Sequence, residues 1–472
     1  MVFSSILFLF FFLPALCLCY FCVPARFRGF RNIVLLIFSL FFYACGGTDY
    51  LPVLIASIAV NYLCGLLAAP GRVKALRRIG LWGAAAFGLG MLAWFKYAGF
   101  LARNLNALGA GLTVPQIVLP IGISFFTFQG LSYVIDVYRG DAECQRNPFY
   151  VALYVALFPQ LVAGPIVRYS TVAREITERR ESISGFSQGA VRFLFGLGKK
   201  MLLANAMAEI ADGVFAQPPQ SMAASLAWLG AAAYTLQIYF DFSAYSDMAI
   251  GLGQMFGFRF LENFNYPYIA QSVTEFWRRW HISLSTWFRD YVYIPLGGSR
   301  CSKARGIFNL GVVWLLTGLW HGAEWTFVLW GLWFFLLLAG EKLLWGKGLN
   351  RLPRPMRHIY TMLAVVLSWV LFRSPSAAYA GFYLGAMAGL GGKAADGQTV
   401  YYLLEYWPEW IASLIAILPV KTWLEERLPE EGGGPEVWLR TWGPKLAALA
   451  LLALSYGKLA TGSFNPFIYF QF

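Results

Sequence analysis

His321 lies inside the apolar stretch from Leu315 to Gly340, where an ionisable side chain is costly and is therefore a candidate for function. Trp320 directly precedes it, and Trp325 and Trp330 follow. A neutral imidazole in apolar surroundings is suited to act as a general base near neutral pH, because burial disfavours its charged form. The alternative is a structural histidine bonded to a neighbouring helix, and these residues leave both possibilities open.

Glu324 stands three residues after His321. On a continuous helix its carboxylate would share a face with the imidazole and could orient it, although it could equally face the aqueous boundary. Gly318 and Gly322 leave room beside His321 for another backbone or a ligand. We therefore expect Glu324 and Trp320 to belong to the same site as His321.

A second histidine, His281, follows Ser272 and Glu275, whose spacing is that of a capping box and predicts the start of a helix. On that helix the aromatic residues between Phe276 and Tyr291 share one face, as in a helix that lies along a membrane interface. His281 lies on the border with a polar face. It is either an incidental part of an interfacial anchor or a residue at the mouth of a cavity that binds phosphate or a polar acceptor. The candidate binding residues beside it are Arg278, Arg279, Ser285 and Arg289.

A third polar group, Tyr239 to Met248, directly follows an apolar run and brings Asp241 and Asp247 to membrane depth. At helical spacing Asp241 meets Tyr245, and Ser243 meets Asp247. Paired carboxylates can carry out acid–base chemistry, which makes Asp241 a candidate binding residue. A buried hydrogen-bonded network that holds the helices in register is the favoured alternative.

The elements that must position these side chains are membrane helices. Of the 472 residues, 58% are hydrophobic and 13% are charged, whereas a soluble protein carries about a quarter charged residues. Apolar runs recur from end to end and predict roughly eleven to thirteen membrane segments in a single domain. Some segments are short or re-entrant; the run Phe149–Val167, interrupted by Gly164-Pro165, is predicted to be broken.

The charge and cysteine patterns exclude several function classes. The net charge is +13, but the basic residues are dispersed among loops that flank apolar runs, which favours membrane topology and anionic lipid over nucleic acid. The seven cysteines are scattered along the chain and are predicted to be buried free thiols. No phosphate loop, HExxH or EF-hand motif occurs. No metal site is expected, because the available ligands would be two histidines and carboxylates that are distant from them.

Eight stretches of the chain form recognisable motifs: Leu119–Gln129, Ser132–Arg139, Phe158–Arg168, Gln237–Gly251, Glu262–Pro267, Thr274–Gly298, Leu316–Ala323 and Phe464–Phe472. Together they resemble the membrane-bound O-acyltransferase (MBOAT) superfamily, and most closely its bacterial alginate O-acetyltransferase branch. The resemblance extends from Phe41 to the C-terminus and is closest over residues 115–335.

This resemblance implies an all-α integral membrane fold, in which tilted helices surround a thinned centre crossed by a tunnel. It also implies that the catalytic histidine is His321 and that His281 is a second catalytic position at the same tunnel. Two positions depart from the branch. Phe334 stands where another histidine is common, so no role carries over there, and Ala244 replaces a frequent glycine.

The function that the resemblance implies is transfer of acetyl from cytoplasmic acetyl-CoA across the membrane to an exported polysaccharide, either alginate-like or peptidoglycan. Acetyl-CoA is the donor substrate, and no bound cofactor is expected. A separate extracytoplasmic acetyltransferase is the implied protein partner, and the implied location is the cell inner membrane. Two alternatives remain: transfer of D-alanine from a carrier protein to teichoic acid, and a non-catalytic transporter or scaffold.

Overall fold

The fold is all-helical, as predicted. The computed structural model describes residues 1–429, 434–461 and 467–468, and these residues form helices and loops with no β-strand. The chain divides into two compact units. The first unit is Met1–Phe193 with Tyr245–Leu261, and the second unit is Leu194–Ala244 with Glu262–Phe472.

The first unit packs helices closely through small residues. A β-carbon at Gly80 would lie 2.5 Å from the carbonyl oxygen of Cys64, so a side chain there would separate two neighbouring helices. A π-helix, Phe8–Phe12, precedes the first α-helix, and another, Ala93–Tyr97, joins the fourth to the fifth. The α-helices are α1 (Leu13–Cys22), α2 (Arg28–Ala44), α3 (Leu51–Ala68), α4 (Lys74–Leu92), α5 (Ala98–Ala107), α6 (Ile123–Arg139), α7 (Pro148–Ala156), α8 (Phe158–Leu161), α9 (Tyr169–Glu178) and α10 (Ile183–Gly198), whose last residues enter the second unit.

A charged cluster centred on Glu181 holds part of the first unit together. The carboxylate pairs with Arg28, with Arg31 at 3.0 Å and with Arg179 at 3.6 Å, and it accepts a hydrogen bond from Tyr20. Burial alone would raise the pKa of Glu181, but the hydrogen bonds from Arg28 and Tyr20 outweigh it and hold the pKa at about 2. The cluster therefore joins α1 and α2 to the loop after α9.

The second unit contains both candidate histidines, and its helices set their positions. Two π-helices, Lys199–Ala204 and Glu341–Trp345, extend neighbouring α-helices. A third, Arg289–Tyr293, follows the helix after His281. The α-helices are α11 (Asn205–Phe215), α12 (Ala224–Met255, whose last residues enter the first unit), α13 (Val273–Arg279), α14 (Ile282–Phe288), α15 (Lys303–His321), α16 (Trp325–Gly340), α17 (Gly346–Leu349), α18 (Arg354–Arg373), α19 (Ala377–Met387), α20 (Gly397–Glu405), α21 (Trp407–Ala416), α22 (Val420–Arg427) and α23 (Pro435–Ala460).

Four helical segments of the described chain are long and apolar enough to cross a membrane. They are Thr48–Ala68, Lys74–Ala107, Trp325–Leu349 and Arg354–Arg373, and Phe8–Cys22 is a shorter apolar helix. The other predicted spans fall short of this length or this apolar character. The total of eleven to thirteen segments therefore stays a prediction.

The run predicted to be broken is indeed discontinuous, but the break lies earlier than predicted. Helix α7 ends at Ala156, and α8 covers only Phe158–Leu161. Leu157 leaves the helical conformation with ψ 112°. Pro159 explains the break, because it has no backbone N–H to continue α7 and its ring would clash with the carbonyl four residues earlier. The Gly164-Pro165 pair lies in the irregular chain beyond α8.

All seven cysteines are free, as predicted. The prediction that they are buried is right for Cys64 and wrong for the other six, which are half-buried or exposed. Cys17, Cys19 and Cys22 lie on the apolar helix α1. In a membrane protein such a helix can turn an apolar side to lipid, so hydrophobic surroundings there do not require burial by protein.

Candidate active site

His321 is the last residue of α15, and a tight helical hairpin begins directly after it. Gly322 is extended at φ −165° and ends the helix. A β-carbon at Gly331 of α16 would lie 2.5 Å from the carbonyl oxygen of Trp314 and 3.4 Å from the α-carbon of Gly318. The glycines thus let two helix backbones touch, which is the role predicted for Gly318, and the contact fixes where His321 lies.

The His321 imidazole lies among aromatic rings. Its ring centroid is 4.9 Å from that of Trp320, 5.0 Å from Trp330 and 5.2 Å from Phe372. The residue is only 6% exposed. All three contacts are edge-on, with interplanar angles of 81°, 81° and 77°, so the surrounding rings hold the imidazole in one orientation.

The continuous helix predicted through His281 is wrong, because the chain breaks there. Ser272 caps α13 as predicted, with its hydroxyl accepting from the Glu275 amide at 3.0 Å. Helix α13 ends at Arg279, however, and α14 begins at Ile282. His281 adopts a left-handed conformation, φ 44° and ψ 53°, which is uncommon for a residue other than glycine and is often found at functional sites.

The His281 imidazole is 1% exposed and is enclosed by aromatic rings. Its centroid lies 4.5 Å from that of Phe242, 6.5 Å from Phe264 and 5.8 Å from Trp320. Because the Trp320 ring also contacts His321, one indole joins the two histidines. From the sequence, only the family resemblance predicted that these two histidines lie close together.

The electrostatics keep His281 neutral and its nitrogens available. Burial lowers the pKa of the His281 imidazole well below its ordinary value, and the nearby His321 lowers it further. Neither ring nitrogen has a hydrogen-bond partner within the described part of the chain. Each unpaired buried polar atom costs free energy, so these atoms are suited to bind the polar atoms of a substrate.

Phe334, at the position where the branch commonly has another histidine, fills space behind this site. It is fully buried, with its ring centroid 5.2 Å from Trp330 and 4.8 Å from Trp277. Trp330 in turn contacts His321. At this position the chain therefore has an apolar support for the site in place of an ionisable group.

Two of the three candidate arginines already have carboxylate partners. The Arg279 Nη2 lies 2.9 Å from Glu275, and the Arg289 Nε lies 2.7 Å from Asp290. Arg278 is exposed and has no ion pair among the described residues. Arg278 is therefore the best placed of the three to bind an external anion.

Ser285 and Asp241 differ in how they relate to the site. Ser285 lies half-buried one turn beyond His281, and its backbone N–H donates to the His281 carbonyl at 3.1 Å.

Asp241 belongs to a buried ion pair. Its Oδ1 lies 2.5 Å from Lys200 Nζ, and its Oδ2 accepts from the backbone N–H of Ile468 at 2.6 Å. The predicted partnership of Asp241 with the Tyr245 hydroxyl is wrong, because a lysine brought in by another helix is a stronger partner. The favoured alternative, a buried structural network, fits Asp241.

Glu324 does not share a helix face with His321, so that prediction is wrong. Helix α15 ends at His321, and Glu324 is the exposed, extended residue before α16. Its carbonyl accepts from the Phe327 amide at 3.2 Å. His358 lies in α18 and approaches the carbonyl of Ala270 at 3.2 Å.

Sequence reasoning missed Glu341 and Asn263, which hold the His281 segment from outside. Glu341 accepts from the backbone amides of Val273 and Thr274 at 2.7 and 2.9 Å and so caps α13. Asn263 contacts the start of α14. Two features of the sequence could have indicated them. Glu341 is a carboxylate directly after the apolar stretch that ends at Gly340, and Asn263 lies inside the motif Glu262–Pro267.

The structure gives no candidate metal centre: the described residues contain no group of three or more His, Cys, Asp or Glu side chains placed to hold an ion. The motif Phe464–Phe472 lies outside the described residues except for Phe467 and Ile468. The tunnel and the thinned centre stay predictions.

Comparison with known proteins decides the family. A family model described as MBOAT, membrane-bound O-acyltransferase family, matches residues 145–379. The chain is 40% identical to the probable alginate O-acetylase AlgI of Azotobacter vinelandii over the whole of both chains. It is 31% identical to the peptidoglycan O-acetyltransferase of Helicobacter pylori, covering all of this chain and 98% of that one. The chain belongs to the membrane-bound O-acyltransferase family.

Membership in this family makes the protein a membrane-bound acyltransferase and confirms the resemblance found from the motifs. The matched region, residues 145–379, includes both candidate histidines. The chain is also 27% identical to the teichoic acid D-alanyltransferase of Bacillus subtilis, but only over 53% of this chain and 65% of that one. The full-length similarity is thus to O-acetyl-transferring relatives.

Proposed function

We propose that this protein transfers acetyl from cytoplasmic acetyl-CoA across the bacterial inner membrane for O-acetylation of an exported polysaccharide, with His321 as the catalytic base. The observation that carries the proposal is the pair of buried histidines joined by Trp320, in a chain similar over its whole length to an alginate O-acetylase. We take residues 1–472 to act as one catalytic domain.

In the proposed reaction, His321 accepts the proton from an attacking hydroxyl while the oxygen forms a bond to the thioester carbonyl carbon. The carbon–sulfur bond then breaks, the CoA thiolate leaves, and the proton on the imidazole neutralises it. His281, with both nitrogens unengaged, orients the hydroxyl or the carbonyl. A thioester is already an activated acyl donor, so general-base and electrostatic catalysis are sufficient.

Arg278 is the proposed contact for the phosphates of acetyl-CoA. It is exposed one turn before the His281 break, whereas Arg279 and Arg289 are paired with carboxylates. Guanidinium groups bind phosphate well because they donate two parallel hydrogen bonds. Placing Arg278 at the cytoplasmic face agrees with the excess of basic residues in cytoplasmic loops of membrane proteins.

The proposed acceptor is an alginate-like glycan or peptidoglycan, since these are the substrates named for the full-length relatives. The proposed partner is a separate extracytoplasmic acetyltransferase that completes the transfer to the glycan. Loading of D-alanine onto teichoic acid is the competing activity, and the relative that suggests it matches only about half of this chain.

The test is mass spectrometry of surface glycans from cells that carry the gene, lack it, or carry His321→Ala. We expect acetyl esters to disappear in the last two strains while the membrane level of the variant protein holds. His358→Ala is the matched control, because His358 contacts the Ala270 carbonyl outside the aromatic site. Loss of alanyl esters instead would establish the competing activity, and normal acetylation by His321→Ala would refute the proposed mechanism.

A further inference from the structure

The start of helix α14 is capped in an unusual way. The residue at its N-cap position is His281, whose side chain makes no capping hydrogen bond. Serine, threonine, aspartate and asparagine are preferred at such positions because their short side chains accept from the first backbone amides. The cap of α14 must therefore come from elsewhere in the chain.

Asn263, in the loop before α13, supplies that cap. Its backbone carbonyl accepts from the Ile282 amide at 3.0 Å. Its side-chain Oδ1 accepts from the Ser283 amide at 3.1 Å and from the Ser283 hydroxyl at 2.9 Å. Asn263 is fully buried, so these bonds are protected from water and hold α14 and the loop in one arrangement.

The orientation of the Asn263 amide follows from this geometry. A backbone N–H can only donate, so the atom that faces Ser283 must be the oxygen, which removes the usual ambiguity between the oxygen and nitrogen of an amide. The Nδ2 atom then points away, and it has no hydrogen-bond partner among the described residues. A buried N–H group without a hydrogen-bond partner is unfavourable, and such groups often occur near functional sites.

The remote cap has a direct consequence for His281. Because Asn263 satisfies the amides of α14, the imidazole has no capping task, and both of its nitrogens stay unengaged. The backbone of His281 nevertheless adopts a left-handed conformation, φ 44°, which is unfavourable for a residue other than glycine. An asparagine or serine at position 281 would cap the helix locally but would not offer an imidazole.

We propose that Asn263 is a positioning residue for His281: it caps α14 in place of the imidazole and holds the left-handed turn that presents both imidazole nitrogens to the substrate. This inference rests on the proposed function, in which His281 takes part in acyl transfer. It adds a residue whose side chain acts on the reaction through His281.

The test compares Asn263→Ala, Asn263→Asp and the control Asn265→Ala in purified protein reconstituted into liposomes, with labelled acetyl-CoA, an acceptor glycan and an extracytoplasmic cell extract as the source of the partner. Asn263→Ala is expected to lower kcat by about 10- to 100-fold, as small misplacements of catalytic groups do, with an unchanged KM for acetyl-CoA. Asn263→Asp keeps an oxygen acceptor at the cap and is expected to retain most of kcat, since aspartate and asparagine cap equally well. Asn265 is exposed, so its replacement is expected to have no effect.

A double-mutant comparison shows whether Asn263 acts through His281. In a His281→Ala background, adding Asn263→Ala is expected to cause no further loss of kcat, because the two residues form one unit. A second readout is the imidazole spectrum of protein labelled with 15N-histidine, which contains three histidines. Asn263→Ala is expected to shift the His281 signal and to leave that of His358 unchanged.

Several results would overturn the inference. Wild-type kcat in Asn263→Ala, or a full multiplicative loss when it is added to His281→Ala, would show that Asn263 does not act through His281. If Asn263→Ala does not fold, Asn263→Ser replaces it, because the serine hydroxyl is too close to its backbone to reach the Ser283 amide. Wild-type activity in His281→Ala would instead refute the role of His281 in the proposed function. That result can be distinguished from a failure of the Asn263 inference, because it does not involve any Asn263 variant.

Discussion

Replacing Lys200 by methionine is expected to destabilise the second unit, because it removes one partner of a buried ion pair. Lys200 and Asp241 expose 2% and 3% of their side chains, and Nζ lies 2.5 Å from Oδ1. Without the ammonium group, Asp241 keeps only the backbone N–H of Ile468 among the described residues. A buried charge left without its partner costs about 3–5 kcal/mol.

The reverse substitution, Asp241→Asn, leaves Lys200 buried without its carboxylate and is expected to cost a similar amount. The double variant removes both charges and is expected to recover most of the loss, because neutral replacements of a buried ion pair are often as stable as the pair. Thermal unfolding in detergent can be followed through tryptophan fluorescence, since the chain has 18 tryptophans. At roughly 2 °C per kcal/mol, each single variant is expected to melt about 6–10 °C below wild type.

The double variant is the control that separates charge from shape. If it melts as low as the single variants, the loss comes from packing and not from an unpaired charge. If both single variants melt within about 1 °C of wild type, the ion pair does not carry the stability assigned to it, and the reasoning from its burial is refuted.

Three further perturbations address the site and the first unit. Glu341→Ala removes the carboxylate that caps α13. It is expected to lower the free energy of unfolding by about 1–3 kcal/mol and to lower kcat. An unchanged melting temperature and an unchanged kcat would contradict the capping role of Glu341. Gly318→Ala places a methyl group against the backbone of Phe327 and is expected to reduce transfer by about tenfold or more. In its control, Gly381→Ala, the added methyl group meets no atom of the described residues within 4 Å, so this variant is expected to be neutral. Equal activity of the two variants would contradict the close helix contact. Glu181, with its pKa held at about 2 against an ordinary 4.5, contributes stability that is fully present above pH 4.5 and is lost as the pH falls through 2. Glu181→Gln is therefore expected to melt lower at pH 7 and to lose less on acidification, whereas parallel melting curves against pH would exclude this role.

Local signals in the sequence located helix starts better than helix ends. The Ser272 cap was predictable because its partner, Glu275, is three residues away. The break at His281 was not predictable, because the residue that stabilises it, Asn263, belongs to a loop on the far side of α13. Aromatic periodicity continues across the break, so a pattern of hydrophobic residues does not reveal it.

The same limit explains the errors around His321 and Asp241. The apolar stretch from Leu315 to Gly340 contains His321 and Glu324 but no run of loop residues that marks a hairpin. Helix α15 nevertheless ends at His321, before Gly322, whose backbone is extended. The side chain of Asp241 finds its partner, Lys200, on another helix. Spacing within one helix predicts neighbours on that helix only, and for this reason the site became recognisable through the family motifs.

The most direct test of the central claim is acetyl transfer in liposomes that contain the purified protein, with labelled acetyl-CoA, an acceptor glycan and an extracytoplasmic cell extract as the source of the partner. Wild type, His321→Ala and His358→Ala are compared. His321→Ala is expected to lose transfer by about 100-fold or more, the usual contribution of a general base, while its melting temperature stays near that of wild type. His358→Ala is expected to behave as wild type. Normal transfer by folded His321→Ala would contradict the assignment of His321 as the catalytic base.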